Sequence, residues 1–285
     1  MKTIIGIDIG GSTTKIVGFA ENMTLMEPMS VRATDPVTSV YGALGKFLSQ
    51  NALELDDVEQ IMITGVGSAY IDKPLYGRPC SHVGEFQCVG YGGIYLSGLE
   101  EAIVVSMGTG TSMSHCSYTN EAMHPTVTYL GGTGVGGGTL VGLAKKMLNM
   151  DSMEHIVELA RDGSLSNVDL QIKDMTKKEI LNSNMTAANF GRVSDVTSRA
   201  DLALGIINMV YETVAMMSIF AGRSYGLKDI VLTGNLTGLP QAQPTFDNLS
   251  QMFGVNFCIP EHSRYATVIG AELSYFDTIG ALPHE

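Results

Sequence analysis

The pattern that most constrains this chain occurs twice. A short run of β-branched and small apolar residues breaks into glycines and hydroxyls, then resumes at once as a second extended run. In the first copy, residues 3–8 lead through Gly10, Gly11, Ser12 and Thr13 into residues 15–20. In the second, residues 102–106 lead through Gly108, Thr109 and Gly110 into residues 112–117. Glycine permits so tight a return, and buried runs of this length read as strands. Two strand–turn–strand hairpins about a hundred residues apart imply an internally duplicated α/β architecture without an exact repeat. Two lobes then face each other across a cleft, each contributing one glycine-rich turn.

The rest of the chain alternates in the same manner. Helical spacing of Val40, Leu44, Phe47 and Leu48 predicts a helix over 38–50, and residues 60–64 predict a strand closed by Gly65-Val66-Gly67. Further helices are expected at 82–99, 139–149, 153–161, 201–222 and 267–279, with strands at 125–130 and 230–233. The expected division is a first lobe over 1–98 and a second over 99–285, with the final helix free to pack back on the first.

Seventeen basic against twenty-nine acidic residues give a formal charge of −12, which argues against a nucleic-acid-binding surface. Small anions remain possible ligands, because backbone N–H groups bind them without net positive charge. Four cysteines (Cys80, Cys88, Cys116, Cys258) form no CxxC pair and read as reduced thiols of a cytoplasmic protein. The residues after Met1 run straight into the first strand pattern, with no signal-peptide h-region. Residues 202–222 are long enough to span a bilayer but carry Glu212, and a central carboxylate costs about 2.5–3.5 kcal/mol on insertion scales. The segment is expected as a buried core or subunit-interface helix, and no membrane partner is expected.

Chemistry concentrates in the glycine loops. In the first, N–H groups around Gly10 and Gly11, hydroxyls of Ser12 and Thr13, and the Lys15 cation suit phosphate, while Asp8 at the strand end suits Mg²⁺. The second, Gly108-Thr109-Gly110-Thr111-Ser112, is of the same type, so the pair reads as two halves of a phosphate clamp. The third, residues 131–138, contains a GxGxxG match from Gly132 to Gly137. It follows a hairpin rather than a first βα turn and lacks a ribose-binding acid about twenty residues on, so it does not read as a dinucleotide fingerprint. It is expected instead as an anion site at a helix N-terminus, formed by Gly134, Gly136, Gly137 and Gly138. Two further turns, Thr233-Gly234-Asn235 and a helix start at Gly270-Ala271-Glu272, complete the set.

In this order the motifs resemble the actin-like ATPase superfamily of sugar kinases, acetate kinases and heat-shock ATPases. The chain is more closely similar to type II pantothenate kinases, through Val83-Gly84-Glu85-Phe86, residues 108–112, residues 131–138, Val168-Asp169-Leu170, and Thr186-Ala187-Ala188-Asn189-Phe190-Gly191. The resemblance implies a duplicated actin-like, ribonuclease H-like fold with a nucleotide cleft between two lobes. It implies ATP and Mg²⁺ as cofactors and γ-phosphoryl transfer to the primary hydroxyl of pantothenate, the first step of coenzyme A synthesis. By the same resemblance Glu85 is the general base and Asp8 the metal residue. Gly10, Gly11, Ser12, Thr13 and Lys15, residues 108–111, Gly134, Gly136, Gly137, Gly138 and Gly234 hold the nucleotide. Ser112, Gly131 and Gly132 face the acceptor, and the chain is a homodimer built on the long apolar helix. One position departs: the family places an arginine ahead of the third loop to grip the acceptor, and here that place holds Tyr129. Arg192 is the nearby cation expected to stand in. Two alternatives stay open. One is a kinase of the same fold for another small alcohol such as pantetheine. The other is a non-kinase ATPase like the activators of 2-hydroxyacyl-CoA dehydratases, whose iron–sulfur cysteine pair Cys80 and Cys88 do not match in spacing.

Overall fold

The computed structural model describes residues 2–279 apart from 12, 21, 23, 33–34, 119–124 and 176–184. Two five-stranded sheets follow one plan. In the first, β1 (Thr3–Ile9) pairs antiparallel with β2 (Thr13–Phe19), and β2 likewise with β3 (Met29–Arg32). After helix α1 (Pro36–Gln50), β4 (Val58–Thr64) lies parallel to β1 on its other side, and β5 (Cys80–His82) lies parallel to β4. Helix α2 (Glu85–Ser97) leads into the second sheet. There β6 (Glu101–Met107), β7 (Thr111–Tyr118) and β8 (Pro125–Thr133) form an antiparallel meander. Helices α3 (Gly137–Leu148) and α4 (Met153–Ala160), the small strand β9 (Leu170–Gln171) with helix α5 (Ile172–Met175), and strand β10 (Thr186–Ala188) follow. The long helix α6 (Arg199–Tyr225) then returns the chain to β11 (Asp229–Thr233), parallel to β6; α7 (Ala242–Phe253) leads to β12 (Asn256–Cys258), parallel to β11. The strand orders 3-2-1-4-5 and 8-7-6-11-12 are the same topology twice. This is the duplicated α/β architecture that the two hairpins predict.

Both sheets are covered on both faces, as parallel strands require. On the first, Val40, Ala43, Leu44 and Phe47 of α1 pack on Ile5, Ile7, Ile61 and Ile63. Its other face receives the final helix, α8 (Ala266–Ile279), whose Val268 and Ile269 meet Ile4, Val17 and Met62. On the second sheet, Val89 and Ile94 of α2 meet Ala102, Val104 and Val231. The opposite face carries α3, α4, α6 and α7 in the largest core. Each lobe therefore lends a helix to the other: α2 precedes the second sheet and packs on it, α8 follows it and packs on the first. The two cross at Gly92 and Gly270, where an added Cβ would overlap the carbonyls of Ala266 and Cys88. Gly270 is thus an interior position of α8, placed for close approach, rather than the helix start expected from the sequence.

Several elements differ in extent from their sequence patterns. Residues 82–84 lie outside α2, because residues 80–82 extend the sheet as β5. The first three residues of the third glycine loop belong to β8, pairing Gly131 with Met113, Gly132 with Ser112 and Thr133 with Thr111. The long helix is wider than residues 201–222. A capping box between Ser198 and Asp201 starts it, and Gly226 at φ 72° ends it. It is apolar enough to cross a membrane by length and composition, but 61% of that window is buried in the fold. Its Glu212 carboxylate accepts from Thr186 Oγ1 (2.8 Å) and Asn189 Nδ2 (3.0 Å). A neighbouring buried carboxylate, Asp169, accepts from the Phe190 N–H (2.8 Å) and from Asn208 Nδ2 (2.9 Å). The sequence stretches around 169 and 186–191 therefore clasp α6 through two satisfied carboxylates, Asp169 buried and Glu212 half-buried.

Candidate active site

Both hairpin turns open on one cleft of about 520 Å³. From the first come Asp8, Gly10, Gly11, Thr13 and Lys15; from the second, Gly108, Thr109, Gly110, Thr111 and Ser112. Glu85, Tyr129, Gly132, Gly134 and Gly234 complete the expected part of the lining. Ser12 lies outside the described residues.

Asp8 and Lys15 face each other across the β1–β2 ladder. Lys15 is 7% exposed, and its Nζ donates to the carbonyl of Arg264, 2.6 Å away, just ahead of α8. Burial pushes the Lys15 pKa down; Asp8 and, more weakly, Glu85 oppose this, while Arg264 adds to it. Asp8 moves upward for the same reason, with Lys15 opposing. Room for the Asp8 carboxylate is made by Gly65 at the end of β4: φ is 85°, and a Cβ there would sit 2.5 Å from Asp8 Oδ1. Gly234 does the same at the end of β11, with φ 92° and its Cβ position 2.6 Å from the Met107 carbonyl. Glu85 opens α2 directly behind the Gly84 N-cap, and its carboxyl faces the cleft. The walls desolvate it and raise its pKa; Asp8 pushes the same way and Lys15 opposes.

The second turn is braced rather than charged. Ser106 and Ser112 stand opposite each other in the β6–β7 ladder. The N–H groups of Gly137 and Gly138 donate to the carbonyls of Gly108 (2.9 Å) and Thr109 (2.8 Å). Thr111 Oγ1 donates to the Val135 carbonyl at 2.8 Å. This corrects the sequence reading of the third loop. Gly136, Gly137 and Gly138 do not line the cleft; the donors of Gly137 and Gly138, expected on phosphate, instead hold the second turn in place. A Cβ on Gly136 would come within 2.7 Å of the Thr109 carbonyl. Gly131 also lies off the cleft, at the irregular β7–β8 pairing with φ 133°.

Arg192 is not among the cleft residues. Its guanidinium pairs with Asp174 at 2.8 Å, beside β9 and α5. The cleft wall at residue 129 is aromatic instead: Tyr129 stacks on Phe86 with ring centroids 4.1 Å apart and planes at 20°. Cleft residues that sequence reasoning did not assign are Gly65, Val66, Phe86, Ser106, Thr133, Asn235 and Thr267. The recurring Thr-Gly pair after a buried strand, Thr64-Gly65 and Thr233-Gly234, is the signal that finds the Gly65–Val66 corner.

A family model described as Fumble matches residues 101–274. A protein named Type II pantothenate kinase from Bacillus cereus (strain G9842) is 28% identical over 253 residues, covering 82% of this chain and 84% of the relative. Another of that name, from Oceanobacillus iheyensis, is 27% identical over 281 residues, covering 95% and 98%. Among solved structures, the activator of the 2-hydroxyisocaproyl-CoA dehydratase from Clostridium difficile with bound ADPNP superposes at TM-score 0.67 with 14% identity, over 98% of this chain and 96% of that one. A ROK family glucokinase from Streptomyces griseus in complex with glucose and AMPPNP superposes at TM-score 0.59 with 12% identity, over 95% and 98%. These two likenesses establish the fold, that of the actin-like ATPases and sugar kinases.

Proposed function

The chain belongs to the Fumble family, and on that premise we propose that it transfers the γ-phosphoryl group of ATP to the primary hydroxyl of pantothenate or of an amide derived from it. The observation that carries this reading is the convergence of both hairpin turns and Glu85 on one cleft. The names of the relatives and the ATP analogues in the structural neighbours support it.

Phosphoryl transfer needs positioning, charge neutralisation and a group that orients the attacking hydroxyl. Glu85 accepts the proton of the acceptor hydroxyl as its oxygen bonds to the γ-phosphorus and the bridging bond to ADP breaks. A carboxyl with a raised pKa is the better base for that task near neutrality. Lys15 and the hydroxyls of Thr13, Thr109 and Ser112 line the path of the phosphates. Mg²⁺ fits the donor set, since Asp8 offers one carboxylate at a strand end and Mg²⁺ binds through one or two carboxylates plus phosphate oxygens. When bound with ATP it supplies neutralisation of phosphate charge.

The exposed Phe220 and Tyr225 on α6 support a homodimer through that helix, which sedimentation measures. A cytoplasmic enzyme accords with this chemistry. The likeness to the dehydratase activator is one of fold at 14% identity, and the cysteines do not support that reading: Cys88 is buried in the α2–α8 contact and Cys80 is half-buried in β5. The deciding experiment is ADP release from Mg-ATP with pantothenate and pantetheine as acceptors, with the product identified by mass. Absence of acceptor-dependent ADP release overturns the proposal.

A further inference from the structure

The Phe86–Tyr129 stack belongs to two cavities. Besides lining the cleft, both rings line a second pocket of about 290 Å³, completed by Gln87, Tyr91, Pro125, Thr126 and Val127. Phe86 and Tyr129 are 44% and 48% exposed, so the stack presents apolar ring surface where the two spaces adjoin. Phe86 directly follows Glu85 at the start of α2. An acceptor whose hydroxyl sits at Glu85 therefore has its remaining chain at the stack.

Among the described residues, none that lines the second pocket is charged. Gln87 Nε2 donates to the Tyr91 hydroxyl at 3.0 Å, which orients the amide and leaves its carbonyl as an acceptor for a ligand N–H. Pro125, Val127 and the rings supply apolar walls. A secondary amide suits these walls because it stacks on aromatic faces and exchanges hydrogen bonds with a side-chain amide. A carboxylate entering the same space loses water without a cation among the described lining residues to replace it.

We propose that this pocket is an acceptor subsite for an uncharged, amide-bearing chain, so that an N-substituted amide is phosphorylated in preference to the free acid. The inference rests on the kinase reading above and names its acceptor class. Its test uses the full chain with Mg-ATP, pantothenate and pantetheine. The expected result is a kcat/KM for pantetheine about tenfold or more above that for pantothenate, the size of one lost charge-assisted contact. Gln87→Lys places a cation in the pocket and removes the amide carbonyl, and is expected to lower KM for pantothenate about tenfold while raising KM for pantetheine. Thr126→Trp fills the pocket and is expected to raise KM for pantetheine with KM for ATP unmoved; should that variant fail to fold, Gln87→Lys decides alone. A preference for pantothenate in the wild type, or no change of either acceptor in Gln87→Lys, overturns the subsite and leaves the kinase reading standing. ADP release with neither acceptor overturns the kinase reading and the subsite with it.

Discussion

Where β1 turns into β2, Asp8 stands opposite Lys15; at the equivalent place between β6 and β7, Ser106 stands opposite Ser112. The frames match closely, down to the left-handed glycine that presses in from the neighbouring parallel strand, Gly65 in one lobe and Gly234 in the other. The stabilising contacts differ. Both turns close on themselves, the Gly10 N–H donating to the Thr13 carbonyl at 3.0 Å and the Gly108 N–H to the Gly110 carbonyl at 2.9 Å, but only the first has a lysine tied to the segment before α8. The second turn is held by the third glycine loop. Duplication thus preserved the backbone and let the chemistry diverge: one lobe carries the ionic groups, the other a braced cradle of hydroxyls.

Asp8→Asn against Ser106→Ala is the most direct way to break this comparison. If the ionic work is confined to the first lobe, Asp8→Asn lowers kcat by about 10³-fold or more, whereas Ser106→Ala costs less than about tenfold. Steady-state ADP-release kinetics on both variants measure the gap. Similar losses in the two would make the hairpins functionally equivalent and defeat the asymmetry.

Glu85 sharpens the comparison because it belongs to neither hairpin yet feels the charges of only one. Glu85→Gln keeps the shape and removes the proposed base, so kcat is expected to fall by about 10²–10³-fold with KM for ATP nearly constant. The pH profile carries the sign. Burial and Asp8 raise the Glu85 pKa, and in the proposed mechanism the deprotonated form is the active one. Activity is therefore lost on acidification at a pH above the ordinary glutamate value, and it recovers as pH rises through the raised pKa. A wild-type acid limb at the position of an unperturbed carboxylate would remove Glu85 from the base role.

The duplicated fold was legible because its evidence is local: a buried run, a glycine turn and a second run need only nearest-neighbour chemistry to recognise. Most of the cleft was legible for the same reason, since both turns project from strand ends. The exceptions were fixed by tertiary contacts. Gly137 and Gly138 look like phosphate donors in sequence, but their N–H groups meet the carbonyls of a turn about thirty residues earlier. Arg192 looks like a free cation until the fold brings Asp174 beside it. Gly270 looks like a helix start, and only the crossing with α2 explains a glycine in mid-helix. The Thr64-Gly65 corner went unassigned because its meaning depends on lying beside β1, a parallel pairing between segments over fifty residues apart.

A smaller effect tests the brace. Gly136→Ala drives a Cβ toward the Thr109 carbonyl and the Gly110 backbone, displacing the second turn without removing any of its hydroxyls. Misplacement of a binding loop by a fraction of an ångström is expected to raise KM for ATP by about 10–100-fold, with kcat reduced less. Unchanged ATP kinetics would show that the third loop supports the fold but not the nucleotide site.

Tyr129→Arg gives the smallest expected change and bears on the side of the cleft that neither hairpin supplies. Tyr129 lines the cleft, is half exposed and stacks on Phe86, the residue after Glu85. Its hydroxyl can hydrogen-bond a carboxylate but carries no charge, and Arg192 is occupied with Asp174. An arginine at 129 adds a planar cation with a forked donor set at the acceptor wall. A charge-assisted hydrogen bond contributes roughly 1.5–3 kcal/mol, reduced where water competes, so KM for pantothenate is expected to fall about tenfold. Pantetheine, which has no carboxylate, gains no such contact and loses part of the aromatic stack, so its KM stays constant or rises slightly. The ratio of the two KM values, measured in one assay at one ionic strength, isolates the charge from general disturbance of the wall. A parallel fall for both acceptors would mean that arginine acts on the transferred phosphate, placing residue 129 with the charged hairpin rather than with the acceptor.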